Sequence, residues 1–507
     1  MPDDSVGGHE HAIAAIGDEA IMDRFGYRPQ LKRTLGMFSL FAIAFSAISI
    51  TTSIFLNYGF GLAQYGPASL WVWPIVGVGQ IVLALVIAEI GTRMPLAGYS
   101  YQWTARLMSS GYAWFVAAAA LLYLTVGLAA VAYEVNAPLV LSEFNDNDPS
   151  KTAVLILALV LVGLPSLINI VGVRLVAKFN NAGVFSELVG TTVFAVVLIV
   201  LFISGTKHVH HGAGILFNSH RVTHNPVWYS LVLSGLVGAF TLVGWESAAD
   251  LGEEVIGASK RVPRAMLSGL IGSVILGMLA LVGFTLAIPN LTTTEASTQP
   301  ILTIGGFWLG SGVLKFFVSF VIVAIFALNV AGAAGQSRLL FSLARDNMVP
   351  GSKWLARINE RSQTPVPALI VLGILIMAAV VYGRAQPNSF GTLVGATALL
   401  PFIIYALVLI AYLLRFERLR SLPGSFDLGR WGRPVAFISL LWTLGVCAAL
   451  SFPAEFHGGD KVVLWGAVVS AVWYVLVLFR RIRSGAAGVP VIEALTEEEA
   501  TAQHVHR

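Results

Sequence analysis

The chain has 507 residues, of which 56% are hydrophobic and only 11% charged. Soluble proteins carry about 25% Asp, Glu, Lys and Arg, so a chain this long with a mean hydropathy of +0.79 cannot cover its own surface and reads as an integral membrane protein. The net charge of +4 gives no footing for nucleic acid, and the single cysteine, Cys447, excludes an internal disulfide and a cysteine-based metal site.

Residues 1–35 open with MPDDSVGGHEHAIAAIGDEA, a polar and acidic stretch. It lacks the basic start and apolar core of a leader peptide and reads as a cytoplasmic N-terminal segment. Beyond it lie apolar runs of about 20 residues, the length that crosses a bilayer. Twelve are expected, at 36–57, 70–91, 112–141, 152–172, 180–204, 227–251, 265–288, 312–343, 366–383, 389–414, 434–452 and 461–480. A run such as Ile81–Gly91 is apolar without alternation. A membrane barrel would alternate over about ten residues, so the fold class is an all-α membrane protein.

Charge placement supports both the number and the orientation. With the N-terminus in the cytoplasm and each span crossing once, 25 of the 31 Lys and Arg lie on the cytoplasmic side. The outer side keeps Lys151, Lys207, Arg221, Lys315, Arg384 and Lys461. This is the bias that orients helical membrane proteins, and one span more or fewer would scramble it. Both termini are therefore expected in the cytoplasm.

Spans 1 and 6 differ from the rest. Between Ser46 and Ser53, span 1 holds the hydroxyls of Ser46, Ser49, Thr51, Thr52 and Ser53. Span 6 carries Gly235, Gly238 and Gly244 ahead of Glu246 and Asp250. Interrupted spans at matching places in two halves point to a transporter built from inverted repeats. The expected core is then 36–414, with spans 1–5 at 36–204 and spans 6–10 at 227–414. Spans 11 and 12 at 434–480 are appended, and 481–507 form a cytoplasmic tail.

Three motifs in order carry a resemblance. The first is AEIGTRMPLAGYSYQWTARL after span 2, with Glu89, Pro95, Gly98, Tyr101 and Trp103. The second is GWES followed by GEEVIGASKRVPRAM, and the third is QSRLLFSLARDNMVP at the end of span 8. Over about residues 35–480 the chain resembles permeases of the amino acid–polyamine–organocation superfamily. Span 1 and NYGFGLAQYGP, read as the loop that follows it, resemble the amino acid/choline transporter branch. Span 1 departs from the glycine-rich GxGIF pattern of many amino acid permeases. The resemblance implies a 5+5 inverted-repeat core of the leucine-transporter type plus two helices. It also implies a substrate site where spans 1 and 6 unwind, and no cofactor.

Candidate residues follow from membrane cost. Unwound backbone in span 1 would cost several kcal/mol per unsatisfied group in lipid and is tolerated beside a polar cavity or ligand. The start of its outer half favours a carboxylate. Ser46, Ser49 and Thr51 are assigned to that site; the competing reading is hydroxyls bonded back to carbonyls along a bent but continuous helix. A carboxylate at mid-membrane costs about 2.5–3.5 kcal/mol on insertion scales, which makes Glu246 a candidate for protons, cations or a substrate amine. Its bland alternative is a structural hydrogen bond to an opposing helix. The resemblance places Gly244, Trp245 and Glu246 at the unwound part of span 6 and matches Phe240 to the aromatic that closes the pocket outward. Phe240 reads equally well as a lipid-facing ring.

Glu134 and Glu187 sit in apolar runs, as members of a proton path or as ties between helices. Glu187 is the stronger, because the resemblance sets span 5 against spans 1 and 8 near a cation site; Asn329 on span 8 joins it. Asp250, Glu253 and Glu254 beside Lys260, Arg261 and Arg264 read as solvated ion pairs. The outer segment with His208, His210, His211, His220 and His224 has no cysteine or carboxylate to complete a metal set and reads as a solvated loop. No HExxH, CxxC or Walker loop is present, which leaves an enzyme without its machinery. The reading is a secondary transporter of an amino acid or small organic amine, working by alternating access in the cytoplasmic membrane. Proton coupling is expected through Glu246 and then Glu187, with sodium coupling or exchange as the alternative. Which amine is carried, and in what oligomeric state, is left open by the sequence.

Overall fold

A computed structural model describes residues 36–96, 98–144, 149–220, 225–250, 252 and 255–489. The N-terminal segment, Arg221, His224, Glu253, Glu254, the side chain of Asp250 and the acidic tail lie outside the described residues. Among the described residues regular structure is helical, with one isolated bridge between Asn359 and Thr364 and no strand. Ten helical stretches are long and apolar enough to cross a membrane.

The first stretch, Met37–Arg93, is itself divided. Helix α1 (Met37–Ile48) stops at Ser49, α2 runs Ile50–Tyr65, a tight turn covers Gly66–Trp71, and α3 runs Val72–Arg93. The segment from Asn57, expected as a loop, is helical to Tyr65. Close packing overrides its two glycines: a Cβ on Gly61 would stand 2.9 Å from Val237. The helix ends where Gly66 takes φ 62°, with Pro67 behind it.

A short α4 (Tyr99–Leu107) leads to α5 (Ser110–Ala130), which continues through a π turn at Val131–Asn136. Next come α6 (Lys151–Val171) and α7 (Val173–Glu187), then a second π turn at Leu188–Val193 and α8 (Phe194–Ser204). The run expected as span 6 is helical through α9 (Val227–Ser234) and α10 (Leu236–Thr241), and then again only in a short turn at Ser247–Asp250. After it follow α11 (Ala258–Leu286), α12 (Pro300–Arg345, kinked at Gly310), α13 (Val366–Ala385), α14 (Ser389–Leu414), α15 (Gly432–Ser451) and α16 (His457–Trp473).

Lipid offers helices no hydrophobic drive to associate, so small residues and buried polar contacts hold them. Gly127 on α5 meets Thr397 on α14, Gly77 on α3 meets Val274 on α11, and Gly183 on α7 meets Ala327 on α12. The most apolar stretch of α14 is 83% buried and that of the segment containing α16 only 6%, so α14 is central and α16 peripheral. At the end of α3, Arg93 bridges Glu89 (3.1 Å) and Asp427 (3.2 Å), while Tyr412 donates to Glu89 at 2.6 Å. Partial burial opposes charge on Asp427, but the Gly429 N–H and the Arg93 and Arg420 guanidiniums outweigh it and hold the carboxyl below its usual range. This cluster pins the loop between α14 and α15 to the end of α3.

Candidate functional site

The interruption between α1 and α2 is one residue wide. Ser49 adopts φ 43° and ψ 77°, a left-handed state that costs an L-residue about 1–2 kcal/mol. Its contacts hold it there. The Ser49 Oγ lies 2.7 Å from the Thr52 Oγ1 and accepts the Thr52 N–H at 3.4 Å. Glu187, at the end of α7, accepts the Thr51 N–H on Oε1 at 3.1 Å. The Thr51 hydroxyl pairs with that of Thr191, in the π turn that follows, at 2.6 Å. π turns recur at functional positions in helices. Here one brings Thr191 and Glu187 to the same side of the break.

The second interruption covers Leu242–Glu246, between α10 and a short turn of helix at Ser247–Asp250. Gly244 has φ 89°, and a Cβ there would come within 2.8 Å of the Ala47 carbonyl oxygen. The two interruptions therefore touch. Trp245 is fully buried and stacks on Tyr405 of α14 with centroids 5.7 Å apart, which fixes the loop from behind.

Between them lies a cavity of about 250 Å³. Glu246, Gly244 and Phe240 line it from the second interruption, and Thr52 and Ser53 from the start of α2. Tyr123 of α5, Asn180 of α7, Arg338 of α12 and Thr397 of α14 add polar groups to its wall. Its lining includes exposed Ala177 and Asn181 at one end; at the other, Phe240, Leu128 and Val131 are buried. It opens at the end where the chain enters α1 and leaves α12. A second cavity of about 350 Å³ lies beyond the closed end, lined by Tyr58, Glu134, Thr298, Gln299 and Phe390.

Phe240, Gly244 and Glu246 face the cavity, Glu246 being 3% exposed. Ser46, Ser49, Thr51, Trp245, Glu187 and Asn329 do not line it. Ser49 and Thr51 build the break, with Glu187 behind it. Ser46 and Asn329 are buried, and among the described residues the Ser46 hydroxyl and both Asn329 amide atoms have no hydrogen-bond partner. Glu134 faces the second cavity. The hydroxyls that face the cavity are those of Thr52 and Ser53 rather than of Ser46, Ser49 and Thr51, and Tyr123, Asn180 and Thr397 join them without having been expected from the sequence. The adjacent asparagines at 180 and 181, at the start of an apolar run, were a usable signal; a lone tyrosine among alanines and leucines was not. In the histidine-rich segment, His220 pairs with Glu295 at 3.0 Å and His211 contacts the Ile288 carbonyl at 2.5 Å.

The chain is similar in sequence to permeases over most of its length. An uncharacterised amino-acid permease of Schizosaccharomyces pombe is 23% identical over 479 residues, covering 89% of this chain and 84% of its own. The amino-acid permease BAT1 homologue of Oryza sativa subsp. japonica is 26% identical over 490 residues, covering 90% and 92%. The thiamine transporter thi9 of S. pombe is 26% identical over 474 residues, covering 84% and 79%. The family model described as amino acid permease matches residues 35–477, and the chain belongs to that family.

Proposed function

We propose that the protein is a secondary active transporter that moves an amino acid or small organic amine across the cytoplasmic membrane by alternating access, coupled to protons. Membership of a permease family supports a transporter of amino acids or related organic compounds rather than an enzyme. The observation that carries the finer reading is the meeting of two helix interruptions at a cavity whose wall holds the buried carboxylate of Glu246. Backbone without helical partners persists at membrane depth where a cavity serves it.

In this reading twelve spans form a 5+5 core and two appended helices, with both termini in the cytoplasm. The division of Met37–Arg93 into two spans, and 227–241 as the outer half of a broken one, support that count. The cavity then opens to the cytoplasm. Glu246 binds the substrate amine or a proton in turn, and its neutral form lowers the cost of a buried charge while the carrier moves. Glu187 acts through the break: a proton on it weakens the anchor to the Thr51 N–H. Asn329 and Ser46 lie among the same helices as polar groups within the membrane. Uptake into liposomes under either a pH gradient or a sodium gradient tests this. Accumulation driven by pH alone is expected; accumulation driven by sodium alone overturns proton coupling.

A further inference from the structure

We propose that the cargo is an amine that carries no carboxylate. The proposal rests on the transport reading above and narrows its substrate class. The first amides of a helix lack intrahelical partners, and the dipole there favours an anion, so the start of α2 is where a substrate carboxylate would be held. Those donors are already taken. The Thr51 N–H is given to Glu187, the Thr52 N–H to the Ser49 Oγ, and the Ser53 N–H to the Ser49 carbonyl at 3.2 Å. The chain supplies its own carboxylate: Glu187 is 2% exposed and stands outside the cavity. A ligand carboxylate at this place would have to displace Glu187 or compete with it for the same donor.

The rest of the wall favours a cation. Glu246 is the only acidic side chain among the described lining residues, and no lysine is among them. The one arginine, Arg338, lies toward the open end and donates to the Ala334 carbonyl of its own helix at 3.2 Å. Six residues of α12 separate it from Gly332 in the same wall, a rise of about 9 Å. The deep polar groups that remain are hydroxyls and neutral amides, set among apolar side chains and the rings of Tyr123 and Phe240. An aromatic face attracts a cation. Such a chamber suits an ammonium opposite Glu246 with an apolar or hydroxylated body, and among its described deep lining residues there is no cationic side chain to pair with a second, negative end.

Matched pairs differing only in the carboxylate test this: ethanolamine and serine, isobutylamine and valine, phenethylamine and phenylalanine. Each is measured with the purified full-length protein as a ligand-induced rise in unfolding temperature and as uptake into liposomes. In at least one pair the amine is expected to bind about tenfold or more tightly than its amino acid. Glu187→Ala, which releases the Thr51 N–H, is expected to shrink that ratio. Amino acids binding more tightly than their amines overturns the proposal and leaves the transporter reading intact. Binding and uptake of no member of any pair overturns both. Should Glu187→Ala fail to fold, the comparison in the unmodified protein decides alone.

Discussion

The proposed coupling rests on Glu246 more than on any other residue. A buried carboxylate in an apolar bundle is costly, and this one lines a cavity. Glu246→Gln keeps the shape and removes the titration. It is expected to reduce accumulation driven by a pH gradient at least about tenfold, and to weaken exchange of labelled for unlabelled substrate to a smaller extent, because the same carboxylate faces the substrate amine. Accumulation left unchanged by the substitution would remove Glu246 from the proton path. Its candidacy was legible because a carboxylate in an apolar run has few explanations. The hydroxyls of span 1 were legible only as a group. One left-handed residue at Ser49 resets the helical phase, so Thr52 and Ser53 face the cavity while Thr51 turns toward Thr191.

At the scale of elements, the two interruptions constrain each other. Gly244→Ala puts a Cβ within 2.8 Å of the Ala47 carbonyl and forces φ 89° on a residue with a side chain. The conformational part alone costs about 1–2 kcal/mol, and relief requires the chains at Ala47 and Gly244 to part. The variant is expected to lose most uptake with a modest fall in unfolding temperature; normal uptake would show that the contact is not needed in transport. Apolar runs made the helices legible, and glycine content marked where span 6 gives way. The reach of α2 to Tyr65 was not legible, because glycines that look like loop residues are there to let Val237 of α10 and Pro300 of α12 approach. The width of the first break was not legible either. Five hydroxyl residues suggested an unwound window, whereas side-chain contacts from Glu187 and Thr191 confine it to one residue.

Two cavities lie along one seam of the whole molecule, and the wall between them is thin. Val131 lines the first and Glu134 the second, from the same π turn. Val131 and Glu134 are three residues apart on this turn, and Phe240 and Leu128 are buried at the same end of the first cavity. A carrier that exposes one site alternately to two sides needs such a partition, and the ligand must favour one arrangement over the other. Thiol labelling tests this in a Cys447→Ser background, where Cys447 no longer contributes. Asn181→Cys, at the open end, is expected to react with a membrane-impermeant maleimide only from the cytoplasmic side. Thr298→Cys, in the second cavity, is expected to react only from the other side. Leu128→Cys, deep in the first cavity, is expected to react from the cytoplasm and to be shielded by a transported substrate. Labelling of positions 181 and 298 from the same side would overturn both the orientation and the arrangement of the cavities, whereas unshielded labelling at 128 would move the substrate out of the first cavity.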